Sequence, residues 1–126
     1  MTDPNFILLY VASPAESAAF YTRLLGKPAI EASPTFSMFA LDSGVMLGLW
    51  GAAGVEPAAT PVGGGELAFA VKDAAAVHAR HAAWQALGLS IVQAPAAMDF
   101  GFTFTALDPD GHRLRVFAPV APVAPA

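Results

Sequence analysis

"FALDSGVMLGLW" occupies residues 39–50 and "TALDPDGHRLRVF" residues 105–117. Each reads as a strand, a tight turn ending in glycine, and a second strand. Setting Ala40-Leu41-Asp42 on Ala106-Leu107-Asp108 and Gly44 on Gly111, with one residue inserted in the second turn, brings Trp50 onto Phe117. The correspondence continues upstream. "FILLYV" (6–11) leads into a helical segment ending at "LLG" (24–26), and "ELAFAV" (66–71) into one ending at "ALG" (86–88). The chain is therefore written twice, each half as strand, helix, then two or three strands.

The first helix has its start signals in "SPAE": Ser13 as N-cap, Pro14 at the first helical position, and Glu16 placed for a capping box. Ala18, Ala19, Tyr21, Leu24 and Leu25 supply an apolar face, and Gly26 stops the helix. The second helix is expected from Asp73 to Gly88, with the stripe Val77, His81, Trp84 and Leu87. Strands are expected at 28–33, 35–42 and 45–50 in the first half, and at 89–95, 102–108 and 112–117 in the second. The fold class is α+β: two βαβββ modules, 5–50 and 65–118, paired into curved, cleft-forming mixed sheets within one domain of residues 1–118. The segment at 51–64, within "GAAGVEPAATPVGGG", reads as a linker, and 119–126 as a disordered Pro/Ala/Val tail.

Of the 126 residues, 56% are hydrophobic and only 13% charged, about half the usual charged fraction of roughly 25%. So much apolar surface calls for burial in a pocket or against a second copy, and a homodimer is expected. A net charge of −4 without a basic run argues against nucleic acid. With no cysteine, neither disulfides nor thiolate metal sites can form. "MTDPNF" does not read as a signal peptide, and no apolar run is long enough for a membrane span. A cytoplasmic location without membrane partners is the expectation.

Strand alternation sorts the side chains into two faces. Ile7, Leu9, Val11, Leu47, Leu49, Leu67, Phe69, Leu114 and Val116 suit the helix-packed core. The opposite face then carries Phe6, Tyr10, Met46, Trp50, Glu66, Arg113, Arg115 and Phe117. Aromatic rings, space beside Gly48, Ala68 and Ala70, and a few charges describe a small-molecule site. "MDFGFTF" adds Asp99, Phe100 and Phe102 as a flexible lip pivoting on Gly101.

The twofold βαβββ pattern, "SPAESAAFYTRLLG" and "DPDGHRLRVF" resemble the vicinal oxygen chelate superfamily of glyoxalases, extradiol dioxygenases, fosfomycin-modifying enzymes and bleomycin-resistance proteins. The resemblance covers roughly residues 5–118, and "FILLYVASPAESAAFYTRLLGKP", "SGVMLGLW", "GGELAFAV" and "DFGFTFTALDPDGHRLRVF" look most like its phenazine-antibiotic-resistance branch. The enzymes of that superfamily bind a divalent metal through His and Glu side chains, and the resemblance places those positions at Phe6, Gly48, Glu66 and Arg115. Of the four, only Glu66 offers a ligand atom.

The resemblance therefore implies a metal-free binding protein that sequesters a planar aromatic antibiotic, phenazine-like or bleomycin-like. Its ligand-binding residues are expected to be Phe6, Tyr10, Met46, Trp50, Glu66, Phe100, Phe102, Arg113, Arg115 and Phe117, with no catalytic residue, metal or cofactor. Arg115 has two readings, an ion pair with Glu66 or a contact to a ligand carboxylate. The alternative function is a metal-dependent enzyme of the glyoxalase or dioxygenase type, a lyase or thiol transferase. His78 and His81, three apart on the second helix, read as partly exposed helix residues rather than metal ligands, and His112 as capping the hairpin or lining a rim.

Overall fold

The computed structural model describes residues 3–120. Two compact units divide between Val62 and Gly63. In the first, β1 (Phe6–Val11) leads into α1 (Pro14–Leu25), followed by β2 (Glu31–Ala32), β3 (Phe36–Ala40) and β4 (Met46–Gly51). In the second, β5 (Glu66–Ala70) leads into α2 (Ala74–Ala86), followed by β6 (Ser90–Met98), β7 (Gly101–Leu107) and β8 (Arg113–Pro119). The sheet orders are β1-β4-β3-β2 and β5-β8-β7-β6, so both units have one topology. In each, the first strand pairs in parallel with the last, and the remaining pairings are antiparallel.

Local chemistry sets the helix ends. Ser13 Oγ accepts from the Glu16 N–H, Pro14 fills the first helical position, and Gly26 closes α1 at φ 72°, its N–H donating to Thr22 O. Asp73 caps α2 by accepting from the Ala76 N–H at 2.8 Å. The buried face of α1 is Pro14, Ser17, Phe20 and Tyr21; of the expected stripe Tyr21 is buried, Ala18, Leu24 and Leu25 are half-buried, and Ala19 is exposed. Pro14 turns that face inward: it is buried against β3, where Ser37 Oγ donates to its carbonyl. Tyr21 then lies edge-on to Phe39 of β3. In the second unit Trp84 stands edge-on to both Phe69 and Phe104. Leu87, expected in the same stripe, is 41% exposed, because α2 has ended one residue earlier.

Several strand ends differ from expectation. β2 is only two residues long, because Ser33 Oγ accepts from the Phe36 N–H and turns the chain at Pro34. β6 runs through Pro95 to Met98. It is an edge strand, where a missing N–H is tolerated, and register shifts around Gln93 absorb the irregularity. β8 continues to Pro119, and the Val120 N–H donates to Phe100 O, so the first residues of the expected tail belong to the sheet. Residues 121–126 lie outside the described part.

The two β-hairpin turns correspond without the insertion that the sequences suggest. Gly44 N–H donates to Leu41 O and Gly111 N–H to Asp108 O, so Leu41 and Asp108 start equivalent turns. Asp108 is buried, its Oδ1 accepting from the Asp110 and His112 N–H groups. Counting on from the turns equates Gly48 with Arg115 and Trp50 with Phe117.

Candidate functional site

Each sheet has one face against its helix and one turned away. On the far face of the second sheet, Arg115 of β8 lies between Ala68 of β5 and Thr105 of β7. Alanine leaves room for the arginine to lean along the sheet towards Glu66 at the start of β5. The pair is bidentate: Nε to Glu66 Oε1 at 2.8 Å and Nη2 to Oε2 at 3.0 Å. Nη1 donates to Gln93 Oε1 at 3.0 Å and to Thr103 Oγ1 at 3.3 Å. Thr103 passes its own proton to Val116 O, and Thr105 Oγ1 donates to Gln93 Oε1. Phe100 lies 5.7 Å from the guanidinium carbon, and its ring meets Phe117 edge-on at 6.0 Å.

The network fixes the charge states. Hydrogen bonding from Arg115 holds the Glu66 carboxyl below the usual carboxylate range, against the opposing push of burial, with the Arg115 and Arg113 charges adding to it. The same bond raises the already high Arg115 pKa. The side chains are 17% and 30% exposed, which shields the pair from much of the screening met by a surface ion pair. The Glu66 pair, one of the two compatible sequence readings of Arg115, is present. Arg113, paired in register with Glu66, is exposed on the same face.

The far face of the first sheet is apolar. Phe6 and Leu8 are 51% and 47% exposed, with Met46 in register beside Phe6 and the Tyr10 and Trp50 rings edge-on at 6.3 Å. Gly48 is buried there. A Cβ at that position would meet Leu8 Cδ2 at 2.6 Å and Phe36 Cζ at 2.9 Å, so these two side chains fill the space that glycine leaves.

Of the expected ligand residues, Phe6, Tyr10, Met46 and Trp50 share one far face, and Glu66, Arg113, Arg115 and Phe117 share the other, with Phe100 over Arg115. Phe102 is a correction. Alternation from Thr103 turns it to the helix side, where its ring lies 5.0 Å from that of His78. The expected lip is a correction too. Met98 pairs with Gly101, so Asp99 and Phe100 are the two residues of a tight hairpin turn. Gly101 is buried at φ 150°, and a Cβ there would overlap the Ala118 carbonyl, so it is a locked strand residue rather than a pivot.

Gln93, Thr103 and Thr105 were not singled out from the sequence. Alternation in "FTFTALD" is the signal that could have put both threonines on one face, but nothing local pairs them with Arg115. His81 packs its ring on Phe104, as His78 does on Phe102. Among the described residues no cluster of three or more His, Asp or Glu could hold a metal ion.

The family model of the Glyoxalase/Bleomycin resistance protein/Dioxygenase superfamily matches residues 4–116. The chain belongs to this superfamily. It is 27% identical over 116 residues to the phenazine antibiotic resistance protein EhpR of Enterobacter agglomerans, covering 90% of this chain and 89% of that protein. The solution structure of protein ATC0852 from Agrobacterium tumefaciens is 52% identical, with a TM-score of 0.88 over 96% of this chain and 100% of that one. A glyoxalase-related enzyme from Fulvimarina pelagi shares the fold at 21% identity, with a TM-score of 0.83 over 98% of this chain and 94% of that one.

At the four positions that the resemblance assigns to metal ligands, the side chains present are poor in ligand atoms. Phe6 and Gly48 bring no ligand atom, Arg115 is a cation, and both Glu66 oxygens are taken by Arg115.

Proposed function

We propose that the protein binds and sequesters a planar aromatic antibiotic, phenazine-like or bleomycin-like, and confers resistance by holding the drug rather than by converting it. One observation carries the reading: Arg115, which the resemblance sets at a metal-ligand position, engages both oxygens of Glu66, the donor left in that set. A guanidinium there turns a Lewis-acid position into a hydrogen-bonding one. The far faces supply what a planar ligand needs. Phe6, Tyr10 and Trp50 offer ring surfaces in the first unit, and Phe100 and Phe117 in the second; each ring–ring contact contributes about 0.5–1.5 kcal/mol beyond area burial. Met46 adapts to ring edges, Arg113 offers an exposed cation to a ligand carboxylate, and Glu66 with Arg115 forms a polar floor. The similarity to a phenazine resistance protein supports the ligand class.

The test is tryptophan quenching by phenazine-1-carboxylate. Trp84 is a buried residue of α2, so Trp84→Phe leaves Trp50 as the reporter. Saturable quenching is expected, with Trp50→Ala weakening binding about tenfold in calorimetry while the far-UV circular dichroism stays unchanged. Failure of phenazine-1-carboxylate and of bleomycin to bind below about millimolar, a weak limit of roughly −4 kcal/mol, would remove the proposal.

A further inference from the structure

On the binding reading just given, we infer that Gln93 is a specificity-determining residue: its amide is held with the NH2 outward, so the far face of the second sheet selects ligands that present a hydrogen-bond acceptor. The orientation follows from the partners. Gln93 Oε1 accepts from Arg115 Nη1 and from Thr105 Oγ1, both at 3.0 Å. Arg115 has no acceptor to offer, so a flipped amide would set N–H against N–H. The NH2 group therefore points the other way, where it meets Met98 Sδ at 3.3 Å. A thioether is a weak acceptor, and Met98 is 45% exposed, so a ligand atom can displace it at small cost.

The same network binds each side-chain acceptor to an internal donor. Each Glu66 oxygen takes a guanidinium N–H, Thr103 Oγ1 takes another, and the threonine protons go to Val116 O and Gln93. The donors left to a ligand are the N–H groups of the Gln93 amide, whose oxygen holds the Arg115 guanidinium over which the Phe100 ring lies, and the exposed Arg113 guanidinium. An aromatic ring nitrogen or a carbonyl oxygen in the ring plane matches that supply. A ring bearing only C–H edges leaves the amide on its thioether.

The experiment compares phenazine-1-carboxylate with anthracene-1-carboxylate, equal in shape and charge but lacking ring nitrogens, by calorimetry on the whole chain. The phenazine acid is expected to bind about tenfold tighter, the worth of one hydrogen bond made or lost in a partly buried site. Gln93→Glu keeps the acceptor that Arg115 and Thr105 use and removes the outward N–H groups. It should abolish the preference: the added carboxylate weakens both anionic acids, and their affinities should fall within about threefold of one another. The side-chain amide resonances of Gln93 give a second readout on the unsubstituted chain, independent of how the variant folds: they should shift with the phenazine acid and stay put with the anthracene acid. Equal binding of the two acids, or a preference that survives Gln93→Glu, overturns the inference while the binding reading stands. If neither acid binds, the binding reading falls and the inference with it.

Discussion

Arg115 shows how far single residues could be read. Its presence on a strand face, its match to Gly48 and its proximity to Glu66 were legible, because strand alternation and the internal repeat are local in sequence. Its engagement of Gln93 was not. Gln93 lies on an edge strand whose register shifts twice around it, and a bulge cannot be counted through by period-two alternation. The Glu66–Arg115 pair makes a prediction at this scale. The Glu66 carboxyl titrates lower in the folded chain than in the unfolded one, so its contribution is present above the unfolded pKa of about 4.3 and is lost as pH falls through the lowered folded value. Urea unfolding should find Glu66→Gln roughly 1–2 kcal/mol less stable than the parent chain at neutral pH, with the gap closing in acid. A gap that is constant from neutral to about pH 3 would show that the charge on Glu66 contributes nothing.

Among the elements, helix starts were the most legible, since Ser13-Pro14 and Asp73 act within one turn. Helix faces were less so. α1 buries Phe20 because Pro14 and Tyr21 are anchored on β3, a tertiary contact that sequence spacing leaves ambiguous between neighbouring stripes. The β6–β7 hairpin departs furthest from expectation. A glycine followed by aromatics suggested mobility, whereas Gly101 is needed because β8 passes so close that only hydrogen fits. Gly101→Ala therefore combines a backbone angle that alanine resists with an overlap on the Ala118 carbonyl. It should cost about 2–4 kcal/mol in chemical denaturation, and loss of the turn that holds Phe100 should weaken ligand binding as well. An unchanged denaturation midpoint would restore the view of Gly101 as a pivot. The hairpin turns carry a related lesson. The two "ALD" triplets align by letter but not by position, because Asp108 starts its turn where Leu41 does.

At the scale of the molecule, the duplication in the sequence is the duplication in the fold, each unit with its own helix, sheet and far face. The composition is explained only in part by the two cores. Phe6 and Leu8 remain about half exposed on an apolar face, which supports the proposal of a homodimer that covers such surface. Light scattering on a sizing column should give twice the mass of the 12.9 kDa chain, and a monomer at all concentrations would contradict it. Among the described residues no helix is long and apolar enough to cross a membrane. The central proposal is that this chain holds its ligand through rings and hydrogen bonds where the superfamily's enzymes use a metal. The most direct test is calorimetric titration of phenazine-1-carboxylate into protein stripped with a chelator, with the ligand recovered afterwards and weighed by mass spectrometry. The account predicts saturable binding that added zinc, manganese, nickel or iron does not strengthen, and a ligand of unchanged mass. Binding that appears only when a metal is restored, or a converted ligand, would contradict it.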